Sequence, residues 1–263
     1  AINIIIMKIL HIIIYSNSKY SERIDNNAYE NMQKLLSNYY EKFNKKVTTY
    51  FVKYNENVKK IYNTDHHIQD DILFIDGKET SIPGILDKTL LAFKYLNDIH
   101  YDYLIRSNIS TIIDFDKLIN YLSINPINYY GSGKLVDLQW NGGGINDSTW
   151  YGTIFASGTS IIFTKEAIND IINNDNIVRR DIIDDVSLGI FIREYKNIEP
   201  SQVNLKHFCE VPFFNKDQRS INNFIENIKN RDIIFYRNKC FGIMVKNRDI
   251  DYKQMEIIIK HLI

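Results

Sequence analysis

The run Ile9-Leu10-His11-Ile12-Ile13-Ile14 constrains the fold more than any other stretch of this chain. An aliphatic, largely β-branched segment of that length is short for a helix and suits a strand buried on both faces. The rest of the chain repeats the theme. Residues 29–43 have helical apolar spacing, 47–52 and 72–75 read as strands, 85–96 as a helix and 103–105 as a further strand. Strand, helix, strand in this rhythm predicts parallel βαβ units. A strand over 160–163 and a helix over 165–173 follow, then a carboxylate-bearing turn and a helix through 186–195. The expected fold is α/β and Rossmann-like. A mixed, mostly parallel central sheet is flanked by helices in a single domain, since no repeat, low-complexity linker or clear boundary interrupts the chain.

The 263 residues can bury a sizeable core. Their 32 basic and 32 acidic side chains cancel, so no global field favours nucleic acid or an anionic membrane. Phe235 and Tyr236 in the basic tail suit nucleic acid, but the zero net charge and the lack of a known module argue against that class. Cys209 and Cys240 are too few for a disulfide framework, which points to a reducing, cytoplasmic setting. The apolar start, residues 1–15, is broken by Lys8 and His11 and is too short to cross a bilayer. It also lacks a signal-peptide cleavage site. The wealth of Ile, Asn, Lys and Tyr is what AT-rich codons give.

Chemistry concentrates at Ile182-Ile183-Asp184-Asp185-Val186-Ser187-Leu188-Gly189. A carboxylate among apolar residues either finds partners or has its pKa raised, which is how a general base is made. The alternative is that Asp184 and Asp185 cap the helix that follows. Ligands in open α/β sheets bind beyond the carboxyl ends of the strands. Three such ends are polar here: Tyr15-Ser16-Asn17, Asp76-Gly77 and Arg106-Ser107-Asn108. Ordinary turns would look the same one at a time, but three on one edge point to a site. Residues 129–150 set Gly131, Gly133 and Gly142-Gly143-Gly144 among aromatics and read as a mobile loop beside it.

Several of these segments, taken in order, resemble a known family. They are Asp71-Ile72-Leu73-Phe74-Ile75-Asp76, Ile85-Leu86-Asp87-Lys88-Thr89-Leu90-Leu91, Tyr103-Leu104-Ile105-Arg106-Ser107-Asn108-Ile109-Ser110, Phe155-Ala156-Ser157-Gly158-Thr159 and the Asp184–Gly189 motif. Across roughly residues 8–195 the series is similar to the fringe and β-1,3-galactosyltransferase group, family 31 nucleotide-sugar glycosyltransferases of GT-A fold. The composition is similar to glycosyltransferases of large DNA viruses. The resemblance implies a nucleotide-sugar half over about 1–116 and an acceptor and catalytic half over about 117–263.

It also implies roles. Asp185, next to Asp184, falls on the residue that takes the proton from the acceptor hydroxyl, and Gly158 lies where backbone approaches the donor. Lys88 is placed to reach a phosphate or the nucleotide edge, Asp76 lies near the base, and Arg23 matches an arginine after the first strand. Tyr15, Ser16, Arg106, Ser107, Asn108 and Ser110 complete the donor set. Solvated helix faces are the commoner fate of residues such as Lys88 and Arg23. Where the family has its acidic metal motif, this chain has Ser107-Asn108-Ile109-Ser110, without a carboxylate. Hard cations prefer anionic oxygen ligands. No cofactor is therefore firmly expected. Mn or Mg stays open, with Ser110 and His207 as weak ligands, while Asp114-Phe115-Asp116 caps a helix over 117–121. Arg237 and Lys239, with Lys246 and Arg248, are equally a replacement for metal at the diphosphate or part of a charged closing helix. Trp140, Trp150 and Tyr151, with Tyr129 and Tyr130, are equally core aromatics or acceptor-binding faces.

The function expected from this resemblance is inverting transfer of a sugar, from a UDP-sugar by family, to a glycan hydroxyl. The alternative is a catalytically inactive nucleotide-sugar or glycan-binding module. The expected partners are a nucleotide-sugar donor and a glycan acceptor, with no nucleic acid and no membrane span. The oligomeric state is unreadable.

Overall fold

The computed structural model describes residues 7–16, 27–214, 217–238 and 248–262. Arg23, Lys239, Cys240 and Lys246 lie outside the described residues. The chain opens with β1 (Ile9–Ile14), α1 (Ala28–Glu41), β2 (Val47–Tyr54), α2 (Val58–Tyr62), β3 (His66–Gln69) and β4 (Ile72–Ile75). It continues through α3 (Gly84–Tyr95), β5 (Tyr103–Asn108), β6 (Thr111–Ile113), α4 (Phe115–Ile124), β7 (Tyr130–Ser132) and β8 (Leu135–Asp137). Then come β9 (Ile154–Ala156), β10 (Ser160–Thr164), α5 (Lys165–Asn173), α6 (Asp184–Lys196) and β11 (Ser201–Gln202). The last elements are β12 (Phe208–Val211), α7 (Gln218–Ile228), β13 (Phe235–Asn238) and α8 (Asp249–Leu262). Among the described residues no helix is long and apolar enough to cross a membrane.

Contacts divide the chain into two compact units. The first, drawn from residues 1–18, 44–108 and 127–203, holds an eight-stranded sheet in the order β11-β7-β10-β5-β1-β2-β4-β3. Strands β5, β1, β2 and β4 are mutually parallel, while β10 and β3 run against their neighbours. The sheet is thus mixed and mostly parallel, as the sequence predicts. Every residue of β1 is buried. Its Leu10, Ile12 and Ile14 share one core with Leu86, Leu90 and Phe93 of α3, Ile168 and Ile171 of α5, and Leu188 and Phe191 of α6. Alternation along a strand sends His11 to the opposite face.

The second unit, drawn from residues 19–43, 109–126 and 204–263, holds a three-stranded sheet, β12-β13-β6, with α1, α4, α7 and α8. Tyr39, Tyr40, Phe43 and Phe115 cluster edge to face inside it. Asp114 caps α4 as expected, accepting from the Lys117 amide at 3.2 Å.

Residues 129–150 are not the open loop that their glycines suggest. Tyr129 and Tyr130 are buried in the main core, which removes them as acceptor faces. β7 joins the large sheet, and β8 pairs with β9 in a two-stranded ribbon. The glycine turn docks on the approach to α6. The Ile183 amide donates to the Gly143 carbonyl at 2.8 Å, and a Cβ on Gly144, at φ +88°, would overlap the Asp181 carbonyl. Only glycine fits that contact.

Helix α6 lies along β9, and the spacing is set by Gly189, where an added Cβ would stand 2.5 Å from the Phe155 Cβ. Gly189→Val is expected to wedge the two apart and lower unfolding stability by about 1–3 kcal/mol, as core overpacking does. Chemical denaturation measures this, and an unchanged midpoint would show the contact to be slack.

Candidate active site

The carboxyl ends of β1, β2, β4 and β5 lie along one edge of the large sheet, because the four strands are parallel. Register sets Ile14 beside Asn108 and Val52, so β1 and β5 finish side by side. β5 runs further than residue 105, and pleating splits its polar end between two faces. Ser107 turns one way and meets His11 Nε2 at 2.8 Å, inside the sheet. Burial lowers the His11 pKa to about 3, so the ring stays neutral. Ser107 is therefore a buried sheet partner of His11, which does not fit the donor contact expected of it. Arg106 and Asn108 turn the other way.

Arg106 is the hub of this edge. Its side chain is 2% exposed. Nη1 donates to the Gly158 carbonyl and, at 3.0 Å, to Asn108 Oδ1, while Nη2 pairs with Asp184 Oδ2. A Cβ on Gly158 would stand 2.5 Å from Nη1, so the missing side chain that the sequence reading reserves for the donor makes room for an arginine. Arg106 Nε and Thr159 Oγ1 are buried with no hydrogen-bond partner among the described residues. Native proteins leave few buried polar atoms unpaired, and those that remain favour functional places.

Asp184 and Asp185 are the first residues of α6, after a helix cap at Ile183 that supplies no side-chain acceptor. They sit where the helix dipole welcomes negative charge, but neither is the capping residue. Asp185 Oδ2 accepts from the Gly158 amide at 2.9 Å and Oδ1 from the Val186 amide at 3.0 Å. Burial pushes its pKa up to about 6, and the charge of Asp184 pushes the same way. The two amides and Arg106 pull it back. The pair is thus divided, one carboxylate neutralised by a guanidinium and the other left basic.

The other donor-edge candidates are placed with their own partners. Tyr15 is buried after β1, and its carbonyl accepts from Lys88 Nζ at 2.5 Å. Ser16 follows, partly buried. Lys88 is fully buried and also donates to both oxygens of Glu79, at 2.6 and 2.8 Å. Its three protons are taken, so reaching a phosphate requires Glu79 to move. Burial lowers its pKa to about 8 against the pull of Glu79. Asp76 Oδ1 accepts from the Lys59 amide at 2.9 Å in the first turn of α2, which is a capping role. Glu79 is the residue that sequence reading missed. Nine positions from Lys88 on a loop, it follows no helical or strand spacing.

In the second unit, Arg237 Nη1 and Arg248 Nη2 both donate to the Ser110 hydroxyl, and Arg248 also pairs with Asp251 and bonds Tyr29. His207 is buried against Tyr121, with Nδ1 on the Asp232 carbonyl. Ser110 and His207 are therefore engaged by cations and backbone, which corrects their weak reading as metal ligands. Among the described residues no three or more His, Cys, Asp and Glu side chains gather as metal ligands. At the end of β5 the residues do not suit a divalent cation either. A buried arginine stands there, the Asn108 amide oxygen is bonded to it, and Ser107 faces away.

The acceptor candidates all lie on the excursion between β8 and β9. Trp140 is 38% exposed and tilts over Phe155, with ring centres 5.9 Å apart. Trp150 lies under the Arg179 guanidinium at 5.3 Å, and the Tyr151 hydroxyl donates to Asn141 Oδ1 at 2.9 Å.

No protein-family model matches the chain, and no curated protein matches it. Solved structures do. The chain is similar to a glycosyltransferase involved in glycosylating the major capsid of PBCV-1, at 10% identity and TM-score 0.46, over 95% of this chain and 99% of that one. It is similar to galactosyltransferase LgtC, solved with donor and acceptor sugar analogues, at 11% identity and TM-score 0.46, over 97% and 96%. It is also similar to 4-diphosphocytidyl-2C-methyl-D-erythritol synthase from Anaerococcus prevotii, at 13% identity and TM-score 0.41, over 74% and 87%.

The raised pKa of Asp185 has a consequence for stability. Between the ordinary value of 3.8 and about 6 the folded chain holds a proton that the unfolded chain has lost. Stability therefore falls as pH rises through that window, and the loss is complete above it. Asp185→Asn cannot ionise and keeps an oxygen for the Gly158 amide. Relative to the wild type, the variant is expected to gain up to about 3 kcal/mol of stability as pH rises from 3 to 7. Thermal melts across pH 3–8, run on both proteins, check the sign.

Proposed function

We propose that the chain is an inverting glycosyltransferase of GT-A type that moves a sugar from a nucleotide-diphosphate donor, a UDP-sugar by resemblance, to a glycan hydroxyl. One observation carries this reading. The carboxylate that the family resemblance assigns as base stands at the carboxyl edge of a parallel sheet with its pKa raised to about 6, while its neighbour is neutralised by Arg106. A general base works best when its pKa lies near the operating pH.

The reaction follows from that division. The acceptor oxygen attacks the anomeric carbon as Asp185 takes its proton. The bond to the diphosphate breaks on the opposite side with its electron pair, so the configuration inverts. Asp184, paired with Arg106, acts as a positioning residue. Arg106 holds the Gly158 carbonyl and Asp184 together, which aims the Gly158 amide at Asp185. The developing charge on the leaving group needs a cation, and Lys88 would supply it once Glu79 moves away, since the residues at the end of β5 do not suit a metal.

Asp185→Asn is expected to lower transfer at least about 100-fold, the low end of what a positioned base supplies. Nucleotide-sugar binding, read by thermal shift, is expected to survive. Wild-type turnover should rise with pH through about 6 and then level off. A panel of nucleotide sugars with and without chelator tests the rest. Transfer is expected to persist in chelator, whereas activity abolished by chelator and restored by Mn²⁺ would overturn the metal-free reading. Donor binding without transfer from any nucleotide sugar would leave a binding module in place of an enzyme.

A further inference from the structure

Helix α6 and the segment 153–158, which holds β9, run along each other as a seam with three fastenings. Gly158 bonds Asp185 at one end, Phe155 packs on Gly189 in the middle, and at the far end Arg193 Nη1 donates to Thr153 Oγ1 at 2.9 Å. From residue 185 to 193 the helix rises about 12 Å. From 158 back to 153 an extended chain covers at most about 17 Å. At the far end lies a cavity of about 240 Å³ lined by Trp150, Tyr151, Thr153, Ile190, Arg193 and Glu194. The reaction proposed above uses none of these side chains.

Their chemistry is that of a carbohydrate site. Aromatic faces suit the polarised C–H groups of a sugar ring, and Tyr151 is 38% exposed. A guanidinium and a carboxylate one residue apart supply donors and acceptors for neighbouring hydroxyls. Thr149 and Thr153 add hydroxyls, so most of the lining is polar, as suits a hydroxyl-rich ligand. The aromatic wall is held in place by the Arg179 guanidinium over Trp150 and by the Tyr151–Asn141 hydrogen bond.

We propose that this cavity is a subsite for a sugar unit remote from the reacting hydroxyl, so that the acceptor is an oligosaccharide. The inference rests on the transferase reading for the word acceptor, though not for binding itself. Calorimetric titration of the protein without donor, using galactose, glucose, mannose and N-acetylglucosamine series from monomer to tetramer, tests it. In one series the tetramer is expected to bind about tenfold or more tightly than the monomer, an increment of about 1.4 kcal/mol. Tyr151→Ala and Glu194→Gln, both exposed positions, are each expected to weaken that tetramer several-fold and to leave the nucleotide-sugar thermal shift unchanged. No length dependence in any series, or full affinity in both variants, overturns the subsite. Oligosaccharide binding without any donor shift supports the subsite and sinks the transferase reading, so the two failures stay distinct.

Discussion

The edge of the large sheet depends on one buried guanidinium. Arg106 comes from β5, Gly158 from the turn before β10 and Asp184 from the start of α6, and a single planar group holds all three. Arginine suits this because its fork reaches two partners at set angles and stays charged when buried. Removing one partner of a buried pair typically costs about 3–5 kcal/mol, since the other charge is left stranded. The geometry of Asp185 is therefore inherited. Its oxygens lie where the Gly158 and Val186 amides point, and those amides stand where Arg106 and the helix start hold them.

The same constraint explains why adjacent carboxylates differ. Side chains on successive helix positions diverge by about 100°, so only Asp184 meets the arginine and Asp185 turns to the glycine turn. Three other helix starts are closed by side-chain caps, Asp114 on α4, Thr164 on α5 and Asp217 on α7. At α6 the capping residue is an isoleucine, and the acidic groups that favour a helix start are left for other work. Across the edge, Glu79 quenches Lys88 in the same way that Asp184 quenches Arg106. The sheet edge thus buries two cations, each already matched.

Much of this was legible in the residues. β1, α5 and the centres of β2, β4, α3 and β10 follow from apolar period and chain punctuation, because a core face leaves a regular trace. The carboxylate motif was legible as chemistry, but its two members were not separable, since what divides them is a partner 78 positions away. Gly158 reads in the sequence as a place where backbone approaches the donor, and the group packed against it in the fold is the Arg106 side chain. Ser107 and Asn108 looked equivalent until the pleat set them on opposite faces. Asp76 and His207 carry polar groups whose nearest uses, an amide and a carbonyl, leave no mark in a linear pattern. The glycine cluster at 142–144 misled because positive φ and close docking call for the same residue as an open loop does.

The ribbon of β8 and β9 has an optical consequence. Both tryptophans of the chain, Trp140 and Trp150, stand on the excursion that joins those strands. Near-ultraviolet emission excited at the red edge of indole absorption therefore comes from one small patch. The guanidinium above Trp150 and the half-open setting of Trp140 give the two fluorophores different surroundings within it. Light from this protein is a local gauge, sensitive to what touches the ribbon and nearly blind to the tyrosine-rich remainder.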